Sequence, residues 1–182
     1  MTTATTVMPT RDVTIGDTFV RISGQGFPLV FVHGFTTTSE FWREQAEEFS
    51  KSYRVIRINL PGHGASPAPT SRSYCIEDFV EDVARVFREL SIEKAVLIGL
   101  SMGGIVAQKF ALKYGHLLKA LVLADTTLRR TGKPMIADRQ WRWRCANSAW
   151  RCAVRSTCRT AGSPFPLLVA PTSSIRLGKS LR

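Results

Sequence analysis

A mostly parallel α/β sheet with helices on its flanks, opened by an antiparallel hairpin at the N-terminal edge, is the fold class this sequence predicts. Three observations predict it. Short runs rich in Val, Ile and Leu recur at 28–32, 54–60, 95–100 and 119–125, as in strands buried on both faces. Helical periods lie between them, and strands alternating with helices imply right-handed crossovers and parallel pairing. Ahead of these, two segments alternate apolar and polar residues, the pattern of strands with one wet face.

Taken in order, Asp12–Asp17 and Thr18–Ile22 flank a Gly-Asp turn and read as the hairpin. Gly24-Gln25-Gly26 breaks the chain before the buried strand Pro28–Val32. Thr38-Ser39-Glu40 looks like a helix start, and Phe41, Trp42, Gln45, Ala46 and Phe49 follow at helical spacing. After the strand Arg54–Leu60 comes the clearest helix, Ile76–Leu90. Its apolar stripe is Ile76, Phe79, Val80, Val83, Val86, Phe87 and Leu90, with Glu77, Asp78, Glu81, Asp82 and Arg85 expected to face water. A further strand, helix and strand run through Asp125. Beyond Thr127 no steady period persists, although Pro166–Ala170 is compatible with one short strand before Pro171–Ser174 breaks it.

The stretch Ala95–Gly104 carries the chemistry. An apolar strand runs into Gly99-Leu100-Ser101-Met102-Gly103 and then into the helical pattern Ile105–Phe110. A serine on such a strand-to-helix turn has its hydroxyl pushed above the sheet edge, and the flanking glycines allow backbone angles and approaches that a β-carbon resists. The Met102 amide at the helix start can face an oxyanion held near Ser101. The competing reading is a plain Gly/Ser turn, which the strand before and the helix after make the weaker one. The strand Pro28–Val32 ends in His33-Gly34-Phe35, and Arg54–Leu60 ends in Pro61-Gly62-His63-Gly64-Ala65-Ser66.

With these three loops in this order, residues from about 11 to 128 resemble the α/β-hydrolase superfamily. The resemblance implies Ser101 as nucleophile and the Phe35 and Met102 amides as oxyanion hole. It implies motif and loop support from His33, Gly34, Gly62, His63, Gly64, Gly99 and Gly103. Serine at the elbow in place of aspartate points to the esterase, lactonase and C–C hydrolase branches, away from dehalogenases and epoxide hydrolases. The wording Leu121–Thr126 is similar to the 3-oxoadipate enol-lactonase-like group. The implied sheet is incomplete, with about six strands and the last two missing. The implied substrate is a small ester or lactone, with no cofactor and no metal.

A serine hydroxyl needs a histidine base and a carboxylate to orient it. In the family the order along the chain is Ser, Asp or Glu, then His, and here it is not completed, because His116 is the last histidine. By topology His116 lies in the loop entering the sixth strand, at the sheet end opposite Ser101. His33 and His63 read as residues that fix their loops. Asp125, at the carboxyl end of the sixth strand, is a candidate acid, against the alternative of a loop-capping aspartate. The expected function is therefore a serine hydrolase impaired by the lack of a downstream histidine. The alternative is an inactive remnant or a ligand-binding pseudo-enzyme.

The formal net charge of +11 looks at first like a nucleic-acid signal. Residues 1–128, however, hold 13 basic and 13 acidic side chains, while 129–182 hold 12 basic residues against the single acid Asp138. The arginines of this basic tail are scattered among tryptophans and cysteines with no recognition motif, so no specific nucleic-acid partner is expected. Cysteine spacing there matches no metal motif. The tail is expected to be poorly specified. Its Arg, Trp, Cys, Ser and Pro enrichment is what GC-rich coding DNA gives in a wrong frame, which suggests a frameshifted or truncated gene; a genuine basic arm is the competing origin. Residues 1–10 read as a flexible lead-in, threonine-rich and without the features of a signal peptide. No run is long and apolar enough to span a bilayer, and a soluble, cytoplasmic protein is expected.

Overall fold

The computed structural model describes residues 10–70 and 75–126 together with the backbone of 167–169. The strands are β1 (Thr10–Ile15), β2 (Thr18–Ser23), β3 (Pro28–Val32), β4 (Arg54–Asn59), β5 (Ala95–Leu100), β6 (Leu118–Ala124) and the short β7 (Leu167–Val169). They form one sheet in the order β1-β2-β4-β3-β5-β6-β7. The pairs β1–β2 and β2–β4 are antiparallel, and every pair from β4 onward is parallel. The expected hairpin therefore opens the sheet, and the six expected strands are present. The seventh adds three residues beside Leu121–Leu123, within the run the sequence left open to a strand. The remainder of the predicted tail, and residues 1–9, lie outside the described residues.

Because side chains alternate across a strand, the sheet buries two apolar faces. Val30, Val32, Ile56, Ile58 and Leu97 pack beneath helices α2 (Ile76–Glu89) and α3 (Met102–Tyr114). Leu29, Phe31, Val55, Val96, Ile98 and Val122 form the other face with Trp42 and Ala46. The segment from Ser39 begins as a 3₁₀ turn over Ser39–Trp42 and continues as helix α1 (Arg43–Phe49). Thr38 caps it by accepting the Glu40 amide at 3.3 Å.

Helix α2 follows its predicted stripe with one difference. Asp82 is 1% exposed rather than facing water. Spacing explains it: Asp82 lies three residues after Phe79 and four before Val86, on the buried face itself. The Arg85 guanidinium stands 3.8 Å from its carboxylate and lies over Gly16 at the hairpin turn. On the outer side, Lys109 and Lys113 of α3 pair with Glu77 and Glu81 of α2, tying the two helices together.

Candidate active site

Strand β5 delivers its last residue, Leu100, opposite Ala124 of β6, and the chain then turns at once into α3. Ser101 occupies that turn with φ 49° and ψ −111°, a conformation an L-residue adopts only when its surroundings enforce it. They do so through the backbone. The Ser101 amide donates to the Ala124 carbonyl at 3.0 Å. Its own carbonyl accepts the Gly104 amide at 3.0 Å, the Ile105 amide at 3.2 Å and the Thr126 hydroxyl at 2.7 Å. The side chain is left exposed. Two neighbours must be glycine for close packing. A β-carbon on Gly99 would lie 2.3 Å from the Gly103 carbonyl oxygen, and one on Gly103 would lie 2.5 Å from the oxygens of Val32 and His33.

The loop after β3 stands against this turn. A β-carbon built on Gly34 would sit 3.4 Å from Ser101 Cβ. The Gly34 carbonyl accepts three donors: His33 Nδ1 at 2.7 Å, Thr37 Oγ1 at 3.2 Å and the Thr37 amide at 3.3 Å. A trans peptide points its N–H away from its C=O, so pinning this oxygen also fixes the direction of the Phe35 amide. The Phe35 ring is 68% exposed. The Met102 and Gly103 amides open α3, where an intrahelical carbonyl is not available to them.

His33 is fully buried. Its Nε2 accepts the Leu60 amide at 3.0 Å, and an amide only donates, so the ring hydrogen is on Nδ1 and goes to Gly34. Burial pushes its pKa down to about 4. Neither nitrogen is available to Ser101. His63 lies in the turn after β4 between Gly62 (φ 80°) and Gly64 (φ 55°). Its Nε2 contacts the Phe35 carbonyl at 2.7 Å and its Nδ1 the Pro61 carbonyl at 3.2 Å. The turn is stapled by Ser66, whose hydroxyl donates to the Asn59 carbonyl at 2.7 Å and accepts the Phe19 amide at 2.7 Å.

His116 lies in the 3₁₀ turn Gly115–Leu117 that enters β6. Leu118 pairs with Ala95 at the start of β5, and Ser101 follows the end of that strand. Six strand residues separate the two levels, about 20 Å. Asp125 has φ 43°, is exposed, and follows Ala124 at the Ser101 end of the sheet. Among the described residues no group donates a hydrogen bond to its carboxylate. The structure thus gathers Ser101, Met102, Gly103, Gly34 and Phe35 at one sheet edge with Asp125 beside them, holds His33 and His63 by their backbone contacts, and leaves His116 at the far end.

Sequence reasoning missed Thr37 and Thr126, whose hydroxyls hold the two loops; the threonine run after Phe35 was the only local signal for the first. Among the described residues, no three His, Cys, Asp or Glu side chains cluster as metal ligands, and no helix is long and apolar enough to cross a membrane.

Residues 28–147 match the family model described as alpha/beta hydrolase fold. The chain is 33% identical over 108 residues to an (E)-2-((N-methylformamido)methylene)succinate hydrolase of Acinetobacter baylyi, covering 59% of this chain and 41% of that one. It is 34% identical over 109 residues to epoxide hydrolase 4 of Mus musculus, covering 59% and 30%. A solved N-acyl homoserine lactonase superposes with a TM-score of 0.60 at 30% identity, over 65% of this chain and 45% of the lactonase. The chain spans less than half the length of each. A sheet ordered in this way, a match over about two thirds of the sequence and these likenesses agree: the chain belongs to the alpha/beta hydrolase fold family.

Proposed function

We propose that this chain carries the nucleophile half of a serine hydrolase acting on a carboxylic ester or lactone. The observation that supports the reading most is Ser101 itself, an exposed hydroxyl on a backbone-enforced turn at the start of α3 and beside Gly34. In the proposed reaction Ser101 Oγ attacks the carbonyl carbon and its proton passes to a base. The oxyanion meets the Met102 and Phe35 amides, where preorganised donors and the helix N-terminus stabilise developing charge. Collapse expels the alcohol or opens the lactone, leaving an acyl group on Ser101 that water removes. Phe35 and Met102 are the side chains proposed for an apolar acyl wall, since Trp42 is fully buried in the second core face.

The similar proteins include both a lactonase and an epoxide hydrolase, so likeness alone does not choose the chemistry. A serine at the elbow supports the ester or lactone reading, because its hydroxyl can form an acyl ester. The base is absent from the described site: all three histidines of the sequence are placed, and none presents a nitrogen to Ser101. Asp125 is the candidate acid, with no histidine to orient. Loss of the base in such a triad costs several orders of magnitude, so turnover by this chain is slow. The same observation favours a second reading, a pseudo-enzyme that holds an acyl ligand without turnover.

Activated-ester hydrolysis with and without added imidazole separates the two. An impaired hydrolase shows turnover that rises with imidazole and is lost in Ser101→Ala. A pseudo-enzyme shows no difference between the wild-type chain and Ser101→Ala at any imidazole concentration.

A further inference from the structure

We propose that His63 is a positioning residue for the Phe35 amide, acting through a hydrogen bond from its Nε2–H to the Phe35 carbonyl. The proposal rests on the reading of Phe35 as an oxyanion donor. Both ring nitrogens face carbonyl oxygens, which only accept. Nε2 meets Phe35 at 2.7 Å and Nδ1 meets Pro61 at 3.2 Å, so the shorter and stronger contact takes the hydrogen of the neutral ring and places it on Nε2. The neighbouring peptide is held independently, since His33 Nδ1 and Thr37 take the Gly34 carbonyl. The two carbonyls that bracket Phe35 are therefore tied down by two histidines from the loops after β3 and β4, and the residue between them cannot rotate without breaking one tie. His33 and Thr37 fix the peptide that carries the Phe35 amide; His63 prevents the next peptide from swinging it away.

The ring of His63 is itself immobilised. It packs against His33 with centroids 4.9 Å apart, against Phe35 at 6.1 Å and against Phe79 of α2 at 6.4 Å. Its backbone is fixed by the turn, in which its amide donates to Leu60 at 3.0 Å and its carbonyl accepts the Ser66 amide at 3.0 Å. A donor held in this way orients its partner without reorganising during reaction, which is what an oxyanion site requires. The two rings are expected in opposite tautomers: His33 with hydrogen on Nδ1, His63 on Nε2.

Two measurements on the full chain test this. The first is a two-bond proton–nitrogen correlation spectrum above pH 7, with the rings assigned from His33→Gln and His63→Gln. A His63 signature with hydrogen on Nε2 and a His33 signature with hydrogen on Nδ1 are expected; His63 with hydrogen on Nδ1 overturns the proposal. The second is the rate at which a fluorophosphonate labels Ser101 in imidazole buffer, for variants that melt as the wild-type chain does. Gln places an amide N–H near the position of Nε2, whereas Asn reaches only as far as Nδ1. His63→Gln should keep the rate, and His63→Asn and His63→Ala should each lower it about tenfold. Equal rates for Gln and Ala overturn the proposal and leave the hydrolase reading standing. If the wild-type Ser101 takes no label, the hydrolase reading fails, and the tautomer spectrum still decides the His63 bond.

Discussion

Ser101 holds φ at 49°, and a β-carbon in that region costs of order 1–3 kcal/mol. The surrounding bonds from Ala124, Gly104, Ile105 and Thr126 sustain it. Ser101→Gly should therefore raise the stability of the fold by about 1 kcal/mol while removing any labelling at that position. Chemical denaturation of the two proteins checks this; a less stable glycine variant would mean that the turn is unstrained. His33 gives the second prediction at this scale. Its pKa falls from 6.5 to about 4 on folding because burial disfavours the charged ring. Its contribution is complete above pH 6.5 and is lost as pH falls through about 4, for a total of about 3 kcal/mol. The pH dependence of unfolding over that window should flatten in His33→Gln; an unchanged slope would assign it to other groups. Ser101, His33, His63 and Asp125 could all be located from the sequence, because each ends a recognisable strand or sits in a glycine turn. What His33 and His63 bind could not be, because Leu60 and Phe35 lie 27 and 28 residues away.

At the scale of elements, the elbow works because β5 and α3 almost touch. Gly103 lies on the carbonyls that end β3. Gly103→Ala forces that contact apart and should destabilise the fold by about 2 kcal/mol, the usual range for overpacking against rigid backbone. A thermal melt within a degree of the parent would show that β3 and α3 slide freely. The strands were legible for a physical reason: continuous Val, Ile and Leu runs have no other stable place than a doubly covered sheet. Asp82 was misread because a charge was assigned to water on type rather than on helical position. The three residues of β7 were legible only as a permitted strand, since a segment that short carries no period of its own.

Across the whole molecule, the sequence divides near residue 128. Positive and negative side chains balance before it and nearly all acids vanish after it, yet the family match runs on to residue 147. We propose that the composition change marks a shift of reading frame. Resequencing the gene from codon 120 should reveal, in another frame, a strand followed by Asp and a later strand followed by His. Were no frame to encode such a pair, the tail would stand as the protein's own and the base would have to be sought elsewhere. We propose that Ser101 and its oxyanion donors, the Phe35 and Met102 amides, are competent, and that no histidine among the described residues serves as their base. Fluorophosphonate labelling of the folded chain, mapped by peptide mass spectrometry across an imidazole series, tests it most directly. The predicted result is one label per chain, on Ser101, at a rate that climbs with imidazole and vanishes in Ser101→Ala. An unlabelled Ser101 in a folded sample, or a label on another residue, would contradict it.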